Sequence, residues 1–337
     1  MPFTIVQQDI TRMQVDAIVN AANTELTMGG GVCGAIFKAA GAAKLKAACE
    51  KLAPIKTGDA VITPGFELPA RFVIHTAGPV YKRWNEKQSE EKLYSAYTES
   101  LKLALSNGCE SIAFPLISSG IYGYPKQKAL QVATSAIKTF LAENDMDVYL
   151  AVFDRASLAV SKDLLGAVES YIGDNYVEER GVRQRKLLNI ERKAFRETSV
   201  SPQLGESCAP SGLSAALEDI IGDLDEPFNT TLLRLIDARG KTDSEGYKRA
   251  NIDRKLFSKI RTGKGYMPGK RTVLALAIAL ELSLDETDDL LERAGYALSH
   301  SQRFDVIVEY FIVNGKYDIF KINEVLFKYD LPPLGAG

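Results

Sequence analysis

A hydrophobic run, Val15 to Val19, leads into Asn20-Ala-Ala-Asn23, and five residues later Gly29-Gly-Gly-Val-Cys-Gly34 opens an apolar helical stretch. This order of strand, glycine loop and helix allows few folds, because it places a helix N-terminus beside a strand end. Such a terminus leaves backbone N–H groups without partners, and glycines let an anion approach them closely. The loop is read as a site for a phosphorylated ligand, with the two asparagines beside it.

The surroundings of the loop set the fold class. Phe3–Val6, Val15–Val19, Asp59–Thr63, Phe72–His75, Ser111–Pro115 and Val148–Phe153 cluster apolar and β-branched residues between turn signals, which predicts strands. Gly34–Leu52, Glu90–Ser106, Lys126–Glu143 and Ser157–Tyr171 repeat apolar residues at three and four spacings, which predicts helices. Strands alternating with helices imply an α/β sheet covered on both faces, with ligands at the loops beyond the strand ends.

At 337 residues the chain exceeds one ordinary domain. The predicted organisation is an α/β domain over 1–172, a charged helix and Ser/Pro/Gly linker over 173–225, and a helical domain over 226–330. No internal repeat, signal peptide or membrane-length apolar run is seen, so the expected compartment is the cytoplasm. Cys33, Cys49, Cys109 and Cys208 are scattered, giving no disulfide framework, and with only His75 and His300 a histidine-rich metal site is not expected. No metal and no cofactor is predicted.

A second glycine-rich turn, Ile117-Ser-Ser-Gly-Ile-Tyr-Gly-Tyr-Pro125, follows the strand Ser111–Pro115. Ser118, Ser119 and Gly120 can offer hydroxyls and N–H groups to phosphate, and Tyr122 a flat face to a sugar. Either loop alone is consistent with plain connection. Two of them, each at a strand end, favour a diphosphate clamp.

With Gln8-Asp-Ile-Thr11, Val73-Ile-His-Thr-Ala-Gly-Pro79 and Ala113-Phe-Pro-Leu-Ile-Ser118, these segments closely resemble the macrodomain family, MacroD-type branch, over nearly all of residues 1–172. The resemblance implies a three-layer α/β/α fold around a mixed sheet, ADP-ribose as ligand, and ADP-ribosylated targets. Carried over by position, it assigns Asp9 and Ile10 to the adenine end and Asn23 to the distal ribose, with Asn20 bracing the loop. Gly30, Gly31, Val32, Ser118, Ser119, Gly120, Ile121 and Tyr122 would line the diphosphate and distal ribose. Phe153 would pack against adenine or join the core, and Asp9 could equally cap a turn.

Asn23, Gly31 and Cys33 are the candidate catalytic positions. The resemblance also shows a departure: many hydrolytic relatives have Asp where this chain has Cys33, and His where it has Phe37. A neutral thiol accepts hydrogen bonds poorly, and losing a positioned base costs on the order of 10²–10⁴ in rate. Hydrolysis would then rely on a substrate phosphate oxygen. The expected function is an ADP-ribosyl hydrolase; the alternative is a non-catalytic ADP-ribose reader.

Beyond Phe228 the predicted helices are Phe228–Arg239, Ser244–Ala250, Arg254–Thr262, Lys270–Leu282 and Ser283–Ala294, with two more in Phe304–Tyr329. The second and third, around Asn251-Ile-Asp253, have helix-turn-helix spacing and resemble the lambda-repressor/Cro-like family. From Asp237 to Arg271 there are eleven Lys/Arg and four Asp/Glu, in a chain of net charge −2. Arg254, Lys255, Ser258 and Lys259 would face a DNA major groove, with Lys264, Lys270 and Arg271 near phosphate. A solvated basic face on a module for another partner is the competing reading.

Overall fold

The computed structural model describes residues 3–152, 162–176, 226–263 and 266–335. Phe153, Lys264, Cys208, residues 157–161 of a predicted helix and the stretch 177–225 lie outside the described residues.

Strands β1 (Phe3–Gln7), β2 (Ala17–Ala22), β3 (Ala60–Pro64), β4 (Phe72–Ala77), β5 (Ser111–Pro115) and β6 (Asp147–Val152) form one sheet in the order β1-β6-β5-β2-β4-β3. Only β3 runs antiparallel to its neighbour, so the sheet is mixed. Period-two alternation divides its residues between two cores. Ala17, Val19, Ile112, Phe114, Val148 and Leu150 pack under α3 (Glu86–Ser106) and α4 (Lys126–Glu143). Ile18, Val73, Ala113 and Ala151 pack under α1 (Gly31–Ala40) and α2 (Ala42–Cys49). The result is three layers, α/β/α. Burying a side chain as completely as Phe114 contributes about 1.5–3 kcal/mol.

Two differences from the sequence reading bear on the site. The predicted helix Gly34–Leu52 is two helices, because Gly41 adopts φ +87° between them and the chain turns there. Strand β2 continues past Val19 to Ala22, which puts Asn20 inside the sheet opposite His75.

The second unit is helical, and no described helix is long and apolar enough to cross a membrane. It comprises α6 (Phe228–Ala238), α7 (Asp243–Arg249), α8 (Arg254–Thr262), α9 (Lys270–Ala279), α10 (Leu284–Arg293), α11 (Arg303–Val313) and α12 (Ile319–Lys328). Their apolar faces share one core, which also takes in Val168 of α5 (Lys162–Asn175). Thr242 and Glu245 cap α7 reciprocally, and the Asp253 carboxylate accepts the Leu256 N–H at 2.7 Å to start α8.

The two units are in direct contact. Asn251, buried and at φ +54°, accepts the Phe3 N–H at 2.6 Å and donates to the Phe3 carbonyl at 3.0 Å. Its amide thus supplies one rung of a strand to the free edge of β1. Phe320 of α12 stacks on Phe3 with ring centroids 5.6 Å apart, and Lys138 of α4 pairs with Asp318 at 3.0 Å.

Candidate functional site

After β2 the chain crosses to the β3 edge, and after β5 it crosses the other way to β6, so β2 and β5 flank a topological switch point. Loops leaving the carboxyl ends of such strands diverge and open a crevice between them. Here a cavity of about 230 Å³ lies between the loop from Asn23 to Cys33 and the loop from Leu116 to Tyr122. Nine sequence-predicted residues line it together: Asn23, Gly30, Gly31, Val32 and Cys33 from the first loop, Ser118, Gly120, Ile121 and Tyr122 from the second.

The first loop ends at the N-terminus of α1, whose N-cap is Gly30 with no side-chain cap. Its first N–H groups therefore remain available to an anion, and the helix dipole adds to the attraction. Gly31 adopts φ +58°, a left-handed conformation glycine takes without strain. Asn23 shapes the loop through Thr27. Its Oδ1 accepts the Thr27 N–H at 3.1 Å, and its Nδ2 donates to the Thr27 carbonyl at 3.1 Å and to Oγ1 at 2.9 Å. The Cys33 sulfur, buried, accepts the Gly29 N–H at 3.4 Å and so draws the glycines against the helix.

The second loop is held from beneath. The Tyr97 hydroxyl accepts the Ile117 N–H at 3.1 Å and donates to the Pro115 carbonyl at 3.3 Å, in a site dry enough to push the phenol well above its usual range. Ser118, at φ +62°, is 7% exposed, and its Oγ has no hydrogen-bond partner. That hydroxyl lies against Gly78, where a Cβ would come within 2.3 Å of it. Tyr97 and Gly78 were missed as site residues. Gly78 sits in the Val73–Pro79 motif and could have been found there; Tyr97 acts only through tertiary contact.

The other described candidates, Asp9, Ile10, Asn20 and Ser119, lie outside the cavity lining. Asp9 caps a short 3-10 turn, accepting from Thr11 N at 2.9 Å and Thr11 Oγ1 at 2.7 Å. Those bonds, the hydroxyl first, hold its carboxyl below the usual range. Ile10 is buried in the core beneath α1, and the Ser119 hydroxyl donates to the Leu116 carbonyl at 2.8 Å. Asn20 is fully buried, its Nδ2 3.0 Å from His75 Nδ1. As Asn20 donates there, the His75 proton sits on Nε2, 3.0 Å from Thr63 Oγ1.

Burial pushes the His75 pKa from 6.5 down to about 4. The unfolded chain therefore takes up a proton between those values that the folded chain refuses. Stability is complete above pH 6.5 and falls as pH drops towards 4, by up to about 3 kcal/mol. Urea midpoints across this range should show that slope in the native chain and a shallower one in His75→Gln.

Chemically, the cavity favours anions and contains no strong base. Among the described residues lining it there is no carboxylate and no imidazole. Phe37, where the resemblance expects His in many hydrolytic relatives, is buried edge-on to His75 with centroids 6.4 Å apart.

These features define an α/β/α domain with an anion-favouring cavity between two glycine loops. The Macro domain profile matches residues 19–133. A macro domain-containing protein of Chlorobaculum tepidum is 53% identical over 138 residues, 41% of this chain and 79% of that protein. The chain belongs to the macro domain family. It is also 44% identical over 167 residues to the O-acetyl-ADP-ribose deacetylase of Escherichia fergusonii, covering 48% of this chain and 93% of that one. The ADP-ribose glycohydrolase of Xenopus laevis is 48% identical over 145 residues, 43% of this chain but only 34% of that protein.

Proposed function

We propose that the cavity binds ADP-ribose and that the protein releases mono-ADP-ribose from modified targets. The observation that carries this reading is the convergence of two glycine loops and an uncapped helix start on one cavity, with Asn23 at its edge. The names of the deacetylase and glycohydrolase relatives support the reaction class. With no carboxylate or imidazole in the described lining, a diphosphate oxygen of the substrate takes the proton from the water that attacks the distal ribose C1, and the bond from C1 to the target carboxylate breaks with that carboxylate leaving. Asn23 positions the distal ribose, exchanging a bond to Thr27 for one to the sugar. The same lack of a base favours the second reading, a reader that binds ADP-ribose without turnover.

The assay is release of ADP-ribose from a protein mono-ADP-ribosylated on Glu or Asp. The native chain should turn over, and Asn23→Ala should lose on the order of 10–100-fold in turnover while ADP-ribose binding falls less. Tight binding by the native chain with no release would sink the hydrolase reading in favour of the reader.

For the helical unit the proposal is a helix-turn-helix-like module with a nucleic-acid partner that directs the macrodomain to its target. Support comes from the α7–turn–α8 connection with its two caps and from the exposed basic side chains of α8. The basic excess of the sequence is partly engaged within the fold: Arg239, Arg249, Arg261 and Lys270 pair with Glu286, Glu281, Asp243 and Asp305, and Lys241 approaches Glu281 at 3.8 Å. Arg254, Lys255, Lys259 and Arg271 form no ion pair with another described residue.

A further inference from the structure

A cleft of about 740 Å³ lies where the helical unit meets the carboxylates of Glu110 and Asp147, just before β5 and at the start of β6. Its other wall carries Lys255 and Lys259 of α8 and Lys270 and Arg271 of α9, together with the Asp253 carboxylate that caps α8. Helix α9 starts there at Gly269 with no side-chain cap, which leaves its first N–H groups open to an anion. Tyr266, 38% exposed, offers an aromatic face in the same cleft.

The acidic wall is short of a donor. One carboxylate oxygen of Asp147 is buried without a hydrogen-bond partner. Its desolvation raises the Asp147 pKa, the Asp253 and Glu110 carboxylates raise it further, and Lys255 pulls the other way, so the two walls are within electrostatic reach. The cleft thus combines cations for phosphate, the Asp147 carboxylate as an acceptor, and a ring for stacking. A nucleotide unit of a polynucleotide has the matching three parts.

We infer that this cleft holds a single strand of nucleic acid, its phosphates along Lys255, Lys259 and Arg271 and a base turned towards Tyr266 and Asp147. A duplex fits poorly. To read it, α8 would enter a major groove about 12 Å wide between two phosphate ridges. Lys255 and Lys259 already face a protein wall across the cleft, and the second phosphate ridge of a duplex would have to pass that wall. The inference rests on the nucleic-acid reading of the helical unit and is independent of the ADP-ribose site.

The test is fluorescence anisotropy of the full chain with a labelled twelve-nucleotide strand, compared with the same strand annealed, between 50 and 300 mM salt. The single strand should bind at least tenfold more tightly than the duplex. Its log–log salt slope should be about −2, as expected for about three neutralised phosphates on a single strand. The double variant Lys255→Glu, Lys259→Glu should lose at least tenfold and flatten the slope. Asp147→Asn should weaken binding about threefold or more and leave the slope unchanged, because that contact is to a base. Duplex binding as tight as the strand would overturn the single-strand inference and leave the nucleic-acid reading standing. Strand binding unmoved by the charge reversals would overturn the placement in this cleft, and no saturable binding of either form at 50 mM salt would overturn both.

Discussion

Gly34→Ala is expected to weaken ADP-ribose binding at least tenfold and to lower stability, against the usual effect of that exchange in a helix. Inside an exposed helix, glycine to alanine gains about 1 kcal/mol. Here the added Cβ would lie 2.7 Å from the Gly29 carbonyl oxygen, and that atom is backbone and cannot rotate aside. Overpacking of this kind costs about 1–3 kcal/mol, so the clash matches or exceeds the helix gain. Relief has to come from moving Gly29 and Gly30, which line the cavity. Calorimetric titration with ADP-ribose measures the loss. Gly166→Ala in α5, with nothing within 4 Å of the new Cβ, serves as the control and should bind normally. Equal binding by Gly34→Ala would mean the glycine loop does not cradle the ligand.

The second large effect belongs to Asn251. Asn251→Ala should cost about 3 kcal/mol or more in urea unfolding. Two buried bonds to Phe3 are lost, at 2.6 and 3.0 Å, and the Phe3 N–H and carbonyl are left unpaired. A further cost of about 1 kcal/mol comes from placing alanine at φ +54°. Asn251→Gly separates the two causes, because glycine accepts that backbone and lacks the amide; it should recover only the second. If both variants stay within about 0.5 kcal/mol of the native chain, the edge contact does not contribute to stability.

The strands of the sheet could be read from the sequence because apolar and β-branched residues cluster in each between turn signals, and the glycine loops could be read because a strand end and a helix start frame them. What escaped depends on contacts between distant elements. Gly41 sits in an unbroken run of helix formers, so nothing local announces the turn there. Asn20 reads as a loop residue until β2 is seen to pair with β4, which sets it opposite His75. The basic count from Asp237 to Arg271 overstated the free charge, because Glu281, Glu286 and Asp305, which neutralise part of it, lie outside that window. Tyr97 holds the second loop from the middle of α3 and carries no sequence signal of that role.

The placing of β1 bears on how the chain folds. Its first residue, Phe3, lies opposite Val148 on one side and is held by Asn251 on the other. This strand precedes both partners in the chain, so it waits for β6 before it has a neighbour, and for the helical unit before its outer side is closed. Contacts this distant in sequence slow folding and prolong the time a strand stays open to other chains. The growing polypeptide therefore leaves β1 uncommitted until Val148 and then Asn251 have been made, so both sides of this strand close late.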